Sequence, residues 1–207
     1  MKKLFILMCG LLFCLLPACG VPQKFDTLVN KDELCEQKWA DYEAQLQRRA
    51  DLIPNAVEIV KASAAHEHSV LKDVAEARAG ATQIKLTGED LTNPEKVAAF
   101  EKAQNQLKGS LSRLMMVQEQ YPDLKANQGF HDLNIQLEGT ENRILRSREQ
   151  YNASVGDYNR ELKRISGRVV NPLTGGEFKP RVYFKAAPEA AVAPKINMAP
   201  TPAPTTK

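Results

Sequence analysis

The histidines at positions 66 and 68 are the residues whose types come nearest to a metal site. On a helix, residues two apart point about 200° away from each other, whereas helical metal ligands are spaced four apart. The third histidine, His131, is isolated in the sequence. We therefore interpret His66-Glu67-His68 as a solvated polar face, and we predict no metal site and no cofactor.

A second group of polar residues surrounds a proline, Pro54. Its members are Arg48, Arg49, Asp51 and Asn55 beside the proline, and Glu141, Asn142 and Arg143 much later in the chain. We predict that Glu141 pairs with one of the two arginines, and that Asn55 bonds backbone groups that the proline leaves free. Such a network would fix the register between helices. The alternative is a small polar pocket for a ligand or a partner peptide.

No catalytic signature is present in the sequence. It contains no Ser-His-Asp order, no Walker loop, no CxxC pair and no dinucleotide fingerprint. Two acids on one helix face are too common in helical proteins to indicate acid–base chemistry. We therefore predict no catalytic residue. The rival hypothesis is a hydrolase or other enzyme with a site near Arg48, Asp51, Asn55 and Glu141.

Apolar residues at steps of three and four predict that long helices carry these groups. The first series occupies one helix face from Trp39 to Val74 and keeps its phase through Pro54, so we predict a long first helix, kinked or split there. Two more series follow Asn93-Pro94 and residue 128. No stretch alternates as a strand does. The sequence therefore predicts an all-α fold, an antiparallel bundle of long helices like a four-helix bundle.

Composition divides the chain into four parts. Residues 1–18 are predicted to be a lipoprotein signal peptide, residues 19–30 a lipidated N-terminus and tether, and residues 31–185 the helical domain. Within that domain, residues 167–185 are irregular, and their aromatic residues suggest that the segment folds back on the bundle. Residues 186–207 hold five prolines among Ala and Thr, which predicts a disordered tail.

The N-terminal segment predicts the subcellular location of the protein. Lys2 and Lys3 precede an apolar run of fifteen residues, which as a helix rises about 22 Å, short of a bilayer core of roughly 30 Å. A cleaved secretory signal is therefore expected. Leu16-Pro-Ala-Cys19 resembles the bacterial lipobox, so we predict lipidation of Cys19, with an ordinary signal peptide as the alternative. Gly20 then implies the inner leaflet of the outer membrane, if the source is Gram-negative.

Charge and cysteine count narrow the partners further. The formal charge is +3, and without Lys2 and Lys3 there are 26 basic residues against 25 acidic ones, which gives no electrostatic case for nucleic acid. After removal of the signal and lipidation of Cys19, Cys35 is the single remaining thiol, so no disulfide forms within the chain. Cys35 is in phase with the apolar face, and we expect a buried thiol; an intermolecular bridge is the alternative.

Two ordered motifs resemble the LemA family. The first is Gln45-Leu-Gln-Arg-Arg-Ala-Asp-Leu-Ile-Pro-Asn-Ala-Val. The second comprises Tyr121-Pro-Asp-Leu-Lys-Ala-Asn, then Phe130, Leu133 and Leu137, then Thr140-Glu-Asn-Arg-Ile, then Tyr151-Asn152 and Tyr158-Asn159. Residues 178–184 are similar to the aromatic end of the family domain. The resemblance implies an envelope-anchored helical bundle without an established biochemical role. Many relatives have an uncleaved membrane helix, which a lipobox replaces here.

These observations together favour a non-enzymatic lipoprotein. Its expected partners are the membrane, through the N-terminal lipid, and another envelope protein that the sequence does not identify. Association of bundles with one another is a third possibility.

Overall fold

The computed structural model describes residues 20–63 and 68–185 of the chain. Its helices are α1 (Gly20–Ser63), α2 (His68–Gln83), α3 (Pro94–Met116), α4 (Pro122–Lys125), α5 (Gln128–Lys163) and α6 (Ile165–Leu173). Short 3₁₀ turns occupy Asp90–Thr92 and Val117–Glu119. The described residues include no strand, so the predicted all-α class is confirmed. The predicted signal peptide, lipidation site, disordered tail and His66-Glu67 lie outside the described residues.

The long helices alternate in direction. Helix α1 packs along α5, and α2 packs along α3. The Nε of Arg78 on α2 donates to the carbonyl oxygen of Ala50 on α1 at 2.9 Å, so α2 runs back beside the second half of α1. The apolar face predicted as one helix up to Val74 is therefore divided between two helices. The stripe in the sequence keeps its phase across the division, which is why periodicity alone does not reveal the reversal.

The first turns of α1 correct another prediction. Residues 20–30, expected to be a tether, are helical, and Leu28 is completely buried. Leu28, Cys35 and Tyr42 are all buried and follow one another at intervals of seven residues, so the buried stripe of α1 begins well before Trp39. Val170 on α6 and Phe178 belong to the same apolar cluster as Leu28, so the residues after α5 help to bury this part of α1.

Helix α1 continues through Pro54 without a break. A proline lacks the N–H that would bond the carbonyl four residues earlier, here that of Ala50. The bond from Arg78 described above replaces it. Asn55, predicted to satisfy backbone groups at this point, is instead exposed. A side chain on the facing helix therefore compensates for the proline.

The later helices begin at residues that the sequence marks. The side-chain oxygen of Asn93 accepts hydrogen bonds from the backbone N–H groups of Glu95, at 2.9 Å, and Lys96, at 3.3 Å. The side chain of Asn127 accepts from the N–H of Phe130 at 3.1 Å, which caps α5 in the same way. These caps fix where α3 and α5 start, and hence which of their residues face α1.

The buried residues of α5 follow a seven-residue repeat, as in a coiled coil. Ten of them form two rows, one of Phe130, Leu137, Ile144, Tyr151 and Tyr158, and one of Leu133, Thr140, Ser147, Ser154 and Glu161; Val155 and Asn159 are buried beside these rows. The apolar core divides along the bundle axis into two clusters. The N-terminal cluster includes Trp39, Tyr42, Leu46, Phe100, Ile144 and Phe184, and the distal cluster includes Ile53, Val60, Leu107, Leu114 and Leu137. A polar layer lies between them.

Candidate functional site

Arg49 is the centre of the polar layer between the two apolar clusters. Its side chain is only 2% exposed. Nη1 donates to Oε1 of Glu141 at 2.8 Å, and Nη2 donates to Oε1 of Gln104 at 2.5 Å. The Nε2 of Gln104 in turn donates to the carbonyl oxygen of Ala81 at 3.1 Å. The layer therefore joins α1, α2, α3 and α5 through one chain of hydrogen bonds, and this restricts the register at which these helices can pack.

A cleft of about 150 Å³ opens beside this layer. It is lined by Tyr42, Leu46, Arg49, Gln104, Asn105, Lys108, Glu141, Asn142, Ile144, Leu145 and Arg148. Burial raises the pKa of Tyr42 to about 12, so its hydroxyl stays protonated to a higher pH than that of an exposed tyrosine. Two of the three polar nitrogens of Arg49 are held by Glu141 and Gln104, and Nε is buried without a hydrogen-bond partner. The arrangement suits a structural ion pair better than acid–base chemistry.

The structure brings together only part of the group predicted around Pro54. Arg49 is the arginine that pairs with Glu141, and Arg48 is exposed. The other predicted members, Asp51, Asn55, Asn142 and Arg143, are also exposed. The Nε2 of Gln47 donates to Oδ1 of Asp51 at 2.7 Å on the solvent side of α1. No pocket therefore forms from Arg48, Asp51, Asn55 and Glu141 together, because successive helix positions point in different directions.

The structure contains a second polar arrangement that sequence analysis missed. Residues 177–185, here called the strap, are extended and lie on the bundle. Three asparagine side chains each bond both the N–H and the C=O of one strap residue. Asn171 holds Phe178 (3.1 and 2.9 Å), Asn159 holds Arg181 (2.9 and 2.8 Å), and Asn152 holds Phe184 (2.9 and 2.8 Å).

The strap has a period of three. Its clamped residues, Phe178, Arg181 and Phe184, are buried, whereas its other residues are half-buried or exposed. Three residues per turn is the period of polyproline II, which rises about 9 Å in three residues. Asn159 and Asn152 are seven positions apart on α5, about 10 Å. The two spacings agree closely, so successive asparagines on one helix face meet successive turns of the strap.

Arg181 ties the strap to the N-terminal half of α1. Its Nε donates to Oδ1 of Asp32 at 2.9 Å, its Nη2 donates to Oε1 of Glu36 at 2.5 Å, and its guanidinium lies 5.9 Å from the centre of the Tyr158 ring. Burial by itself lowers the pKa of Arg181, but the bonds to the two carboxylates outweigh burial and raise it, so the side chain stays charged. Nη1 is buried without a partner.

Phe184 ends the strap inside a cluster of aromatic rings. It stacks on Trp39 with ring centres 5.7 Å apart, and it contacts Tyr42, Phe100 and Tyr151. The repeated Tyr-Asn pairs of α5 therefore have a shared purpose, because each tyrosine is buried in the core and the asparagine after it holds the strap. Two signals could have indicated this: polar asparagines adjacent to core positions, and aromatic or arginine residues at every third position of an irregular segment.

Other potential sites provide no reactive group. The described residues contain no cluster of three or more His, Cys, Asp or Glu side chains placed to hold a metal ion. His131 is exposed on α5. Cys35 is completely buried, and burial raises the pKa of its thiol. Of the helices in the described part of the chain, none combines the length and apolarity that a membrane span requires.

Comparison with known proteins identifies relatives. A model of the LemA family matches residues 38–198. Magnetosome protein MamQ 2 and Magnetosome protein MamQ 1 of Paramagnetospirillum magneticum (strain AMB-1) are each 28% identical to the chain over 181 residues. Magnetosome protein MamQ of Magnetospirillum gryphiswaldense (strain MSR-1) is 26% identical over the same length. Each alignment covers 80% of this chain and 66% of the relative, so the chain spans just under two thirds of the length of these curated relatives.

Proposed function

The chain belongs to the LemA family, and from this premise we propose that it is a membrane-anchored, non-enzymatic interaction bundle of the cell envelope. One observation carries the proposal. Two of the charged groups that the described part of the bundle buries, Arg49 and Arg181, are bonded to carboxylates, and those bonds join helices to one another or to the strap. Polar groups used in this way stabilise one packing arrangement and leave no free nucleophile or base at the site.

The predicted anchor suits the position of α1. Lipidation of Cys19 would place acyl chains directly before Gly20, where α1 begins. Forty-four helical residues rise about 66 Å, so the distal end of α1 would stand well away from the membrane surface. Several acyl chains together, at about 0.8 kcal/mol per buried methylene, are sufficient for stable anchoring. The bundle would face the periplasm or the exterior, and in a Gram-negative cell it would sit at the inner leaflet of the outer membrane.

The distal half of the bundle provides a surface for a partner. Met116 and Ile135 are large apolar side chains that are 61% and 57% exposed. Both belong to the half farthest from Gly20, since α3 ends and α5 begins there. We expect another envelope protein to contact this end. The relatives carry the name of a cellular structure, the magnetosome, and not of a reaction, which also supports a role in interaction.

The enzymatic alternative has less support. It requires Arg48, Asp51, Asn55 and Glu141 to form one polar site for hydrolysis or ligand binding. Three of these four residues are exposed, and Glu141 is engaged by Arg49. No observation therefore favours a reaction at this position.

Two experiments test the proposal. Metabolic labelling with a radioactive fatty acid should label the full chain and not Cys19→Ser, and membrane fractionation should show release of the variant. For the partner, photoreactive residues at Met116 and Ile135 should crosslink in cells to one dominant envelope protein, and Ile135→Lys should abolish that crosslink from position 116. Probes at Arg160, exposed at the opposite end of α5, serve as the control. Equal crosslinking from both ends would contradict a distal interaction surface.

A further inference from the structure

Two clefts continue the line of the strap between α3 and α5. The first is the 150 Å³ cleft beside Arg49. The second is a mainly apolar groove of about 280 Å³ that is lined by Lys108, Leu111, Ser112, Met115, Asn134, Leu137, Glu138 and Glu141. Lys108 and Glu141 line both clefts, and their charged groups lie 3.9 Å apart at the boundary, so the two clefts adjoin; together they are here called the track. The track begins where the described strap ends.

The strap points along this track. Its clamps pass from Asn159 to Asn152 on α5, toward lower residue numbers, and the N–H of Lys185 donates to Oε1 of Glu101 on α3 at 2.6 Å. The exposed or half-buried lining residues follow in order from these two points. On α5 they are Arg148, Leu145, Asn142, Glu141, Glu138 and Asn134, and on α3 they are Gln104, Asn105, Lys108, Ser112 and Met115. A chain that continued past Lys185 in the same direction would enter the first cleft and then the groove.

Distances along α3 and α5 predict which residues after Lys185 would lie beside each part of the track. Ala190 follows Phe184 by six residues, about 19 Å in polyproline II, which equals about twelve helical positions beyond Asn152. That calculation places Ala190 level with Thr140, next to the groove. Ala190 also follows Lys185 by five residues, which cover about 15 Å in polyproline II. That length equals about ten helical positions on α3, which leads from Glu101 to Leu111. Both helices therefore place Ala190 over the groove.

The sequence beyond the strap keeps the period of three. The buried strap residues 178, 181 and 184 are followed at the same interval by Ala187, Ala190, Ala193 and Ile196, and all four are apolar. Pro188 and Pro194 fall between these positions, where a missing N–H and a fixed φ suit an extended chain. Three of these four side chains are alanines, and small side chains suit shallow clefts.

Charge supports the same register. Glu189 is the single acidic residue between positions 186 and 207. By the same spacing it falls about ten helical positions beyond Asn152, beside Asn142 and Lys108. The first cleft is lined by three cations, Arg49, Lys108 and Arg148, against one carboxylate, so an additional carboxylate is favourable there.

We propose that the track between α3 and α5 is the docking site of the chain's own residues 186–196, which continue the strap. Composition alone predicts a disordered tail for these residues, because they have little apolar surface with which to form a core of their own. The bundle supplies the complementary surface. Neither a lipid anchor nor an envelope partner is required for this docking.

A photocrosslinking experiment on the full chain in detergent tests this. Benzoylphenylalanine at Ala190 should crosslink within the same chain to residues 108–115 and 137–141, as mapped by mass spectrometry. The same probe at Thr205 should show no preference for these peptides. Met115→Lys should reduce the crosslink at least about fivefold. Met116→Lys, one position along and 61% exposed, is the matched control and should leave it unchanged.

A second set of variants, in which two opposite charges are exchanged, tests the proposal even if Met115→Lys perturbs the fold. Lys108→Glu and Glu189→Lys should each lower the crosslink yield severalfold, and the two together should restore it. Crosslinks to a second copy of the chain, visible as a dimer on a denaturing gel, would overturn docking within the chain. Crosslinks to another part of the bundle, or yields insensitive to both sets of variants, would overturn the proposed track.

Discussion

The clamp on Arg181 offers the sharpest test of how the strap is held. Asn159 is buried on α5, and its amide bonds both the N–H and the C=O of Arg181, at 2.9 and 2.8 Å. In Asn159→Ala both backbone groups lose their partner while Arg181 stays buried. The change should therefore loosen the strap, and with it the contacts that Tyr158, the neighbour of Asn159 on α5, makes with Arg181 and with the carbonyl oxygen of Lys179.

The expected magnitude follows from the two lost bonds. A buried backbone group without a partner costs about 1–3 kcal/mol, and relaxation or entry of water lowers this for an extended segment at the surface. We therefore expect strap opening to become easier by about 2–4 kcal/mol. Because a tenfold change in an equilibrium corresponds to about 1.4 kcal/mol, the open population should rise between about 30-fold and about 700-fold.

Limited proteolysis measures that population directly. Trypsin cleaves after arginine, and the bond between Arg181 and Val182 is protected while the strap is docked, since Arg181 is only 6% exposed. Cleavage tracks the open population when opening and closing are fast relative to proteolysis. The rate at this bond should therefore increase by the factor above. Hydrogen exchange of the amide of Arg181 provides a second reading of the same opening.

Glu149→Ala is the matched control, because Glu149 is exposed on the same helix and lines neither cleft. An exposed substitution of this kind changes stability by at most about 0.5 kcal/mol. The reasoning would be refuted if Asn159→Ala and Glu149→Ala gave the same cleavage rate. It would equally fail if Asn159→Ala unfolded the entire bundle at the same denaturant concentration at which the strap opened, since the clamp would then support the core.

Three further predictions concern the core and the kink. Glu141→Gln should lower the free energy of unfolding by about 1–3 kcal/mol, because Arg49 stays buried without its carboxylate. Adding Arg49→Met should recover at least half of that loss in urea denaturation. If the effects of the two substitutions on the free energy of unfolding simply added, the pairing would be contradicted. Arg78→Leu should lower the free energy of unfolding by about 1–2 kcal/mol when Pro54 is present. The loss should be much smaller in a Pro54→Ala background, because the N–H of the alanine can bond the carbonyl oxygen of Ala50. Equal losses in the two backgrounds, measured by thermal unfolding, would refute this compensation. In the folded chain Tyr42 has a pKa of about 12, whereas in the unfolded chain it loses its proton near pH 10, so the free energy of unfolding should fall between pH 10 and 12. Tyr42→Phe should make that fall shallower by up to about 1.4 kcal/mol per pH unit in urea denaturation. An unchanged slope would exclude Tyr42 as a contributor.

Local signals in the sequence indicated much of the fold. Asn93-Pro94 marked the start of α3, and the steps of three and four marked the buried faces of α3 and α5. These features depend on residues within a few turns of one another, so they can be read without tertiary structure. The arginine that faces Glu141 was less certain, because Arg48 and Arg49 are adjacent and only packing decides which of them points inward.

Contacts between segments that are far apart in the sequence could not be predicted from such local signals. The bond that compensates for Pro54 comes from Arg78, and the groups that hold Arg181 come from Asp32, Glu36 and Asn159. A side chain reveals its residue type but not its partner in another part of the chain. The reversal between α1 and α2 had the same origin, since an apolar stripe has the same period whether its helix continues or turns back.

The sequence by itself determined that the fold is all-α, which faces α3 and α5 bury and that Asn93 begins α3, because propensity, periodicity and capping are local properties. Tertiary structure decided that Arg49 and not Arg48 joins the polar layer, that α2 folds back on α1, and that three asparagines hold an extended strap at every third residue. These outcomes depend on the distance between helices, and that distance is set by the packing of all the buried side chains together.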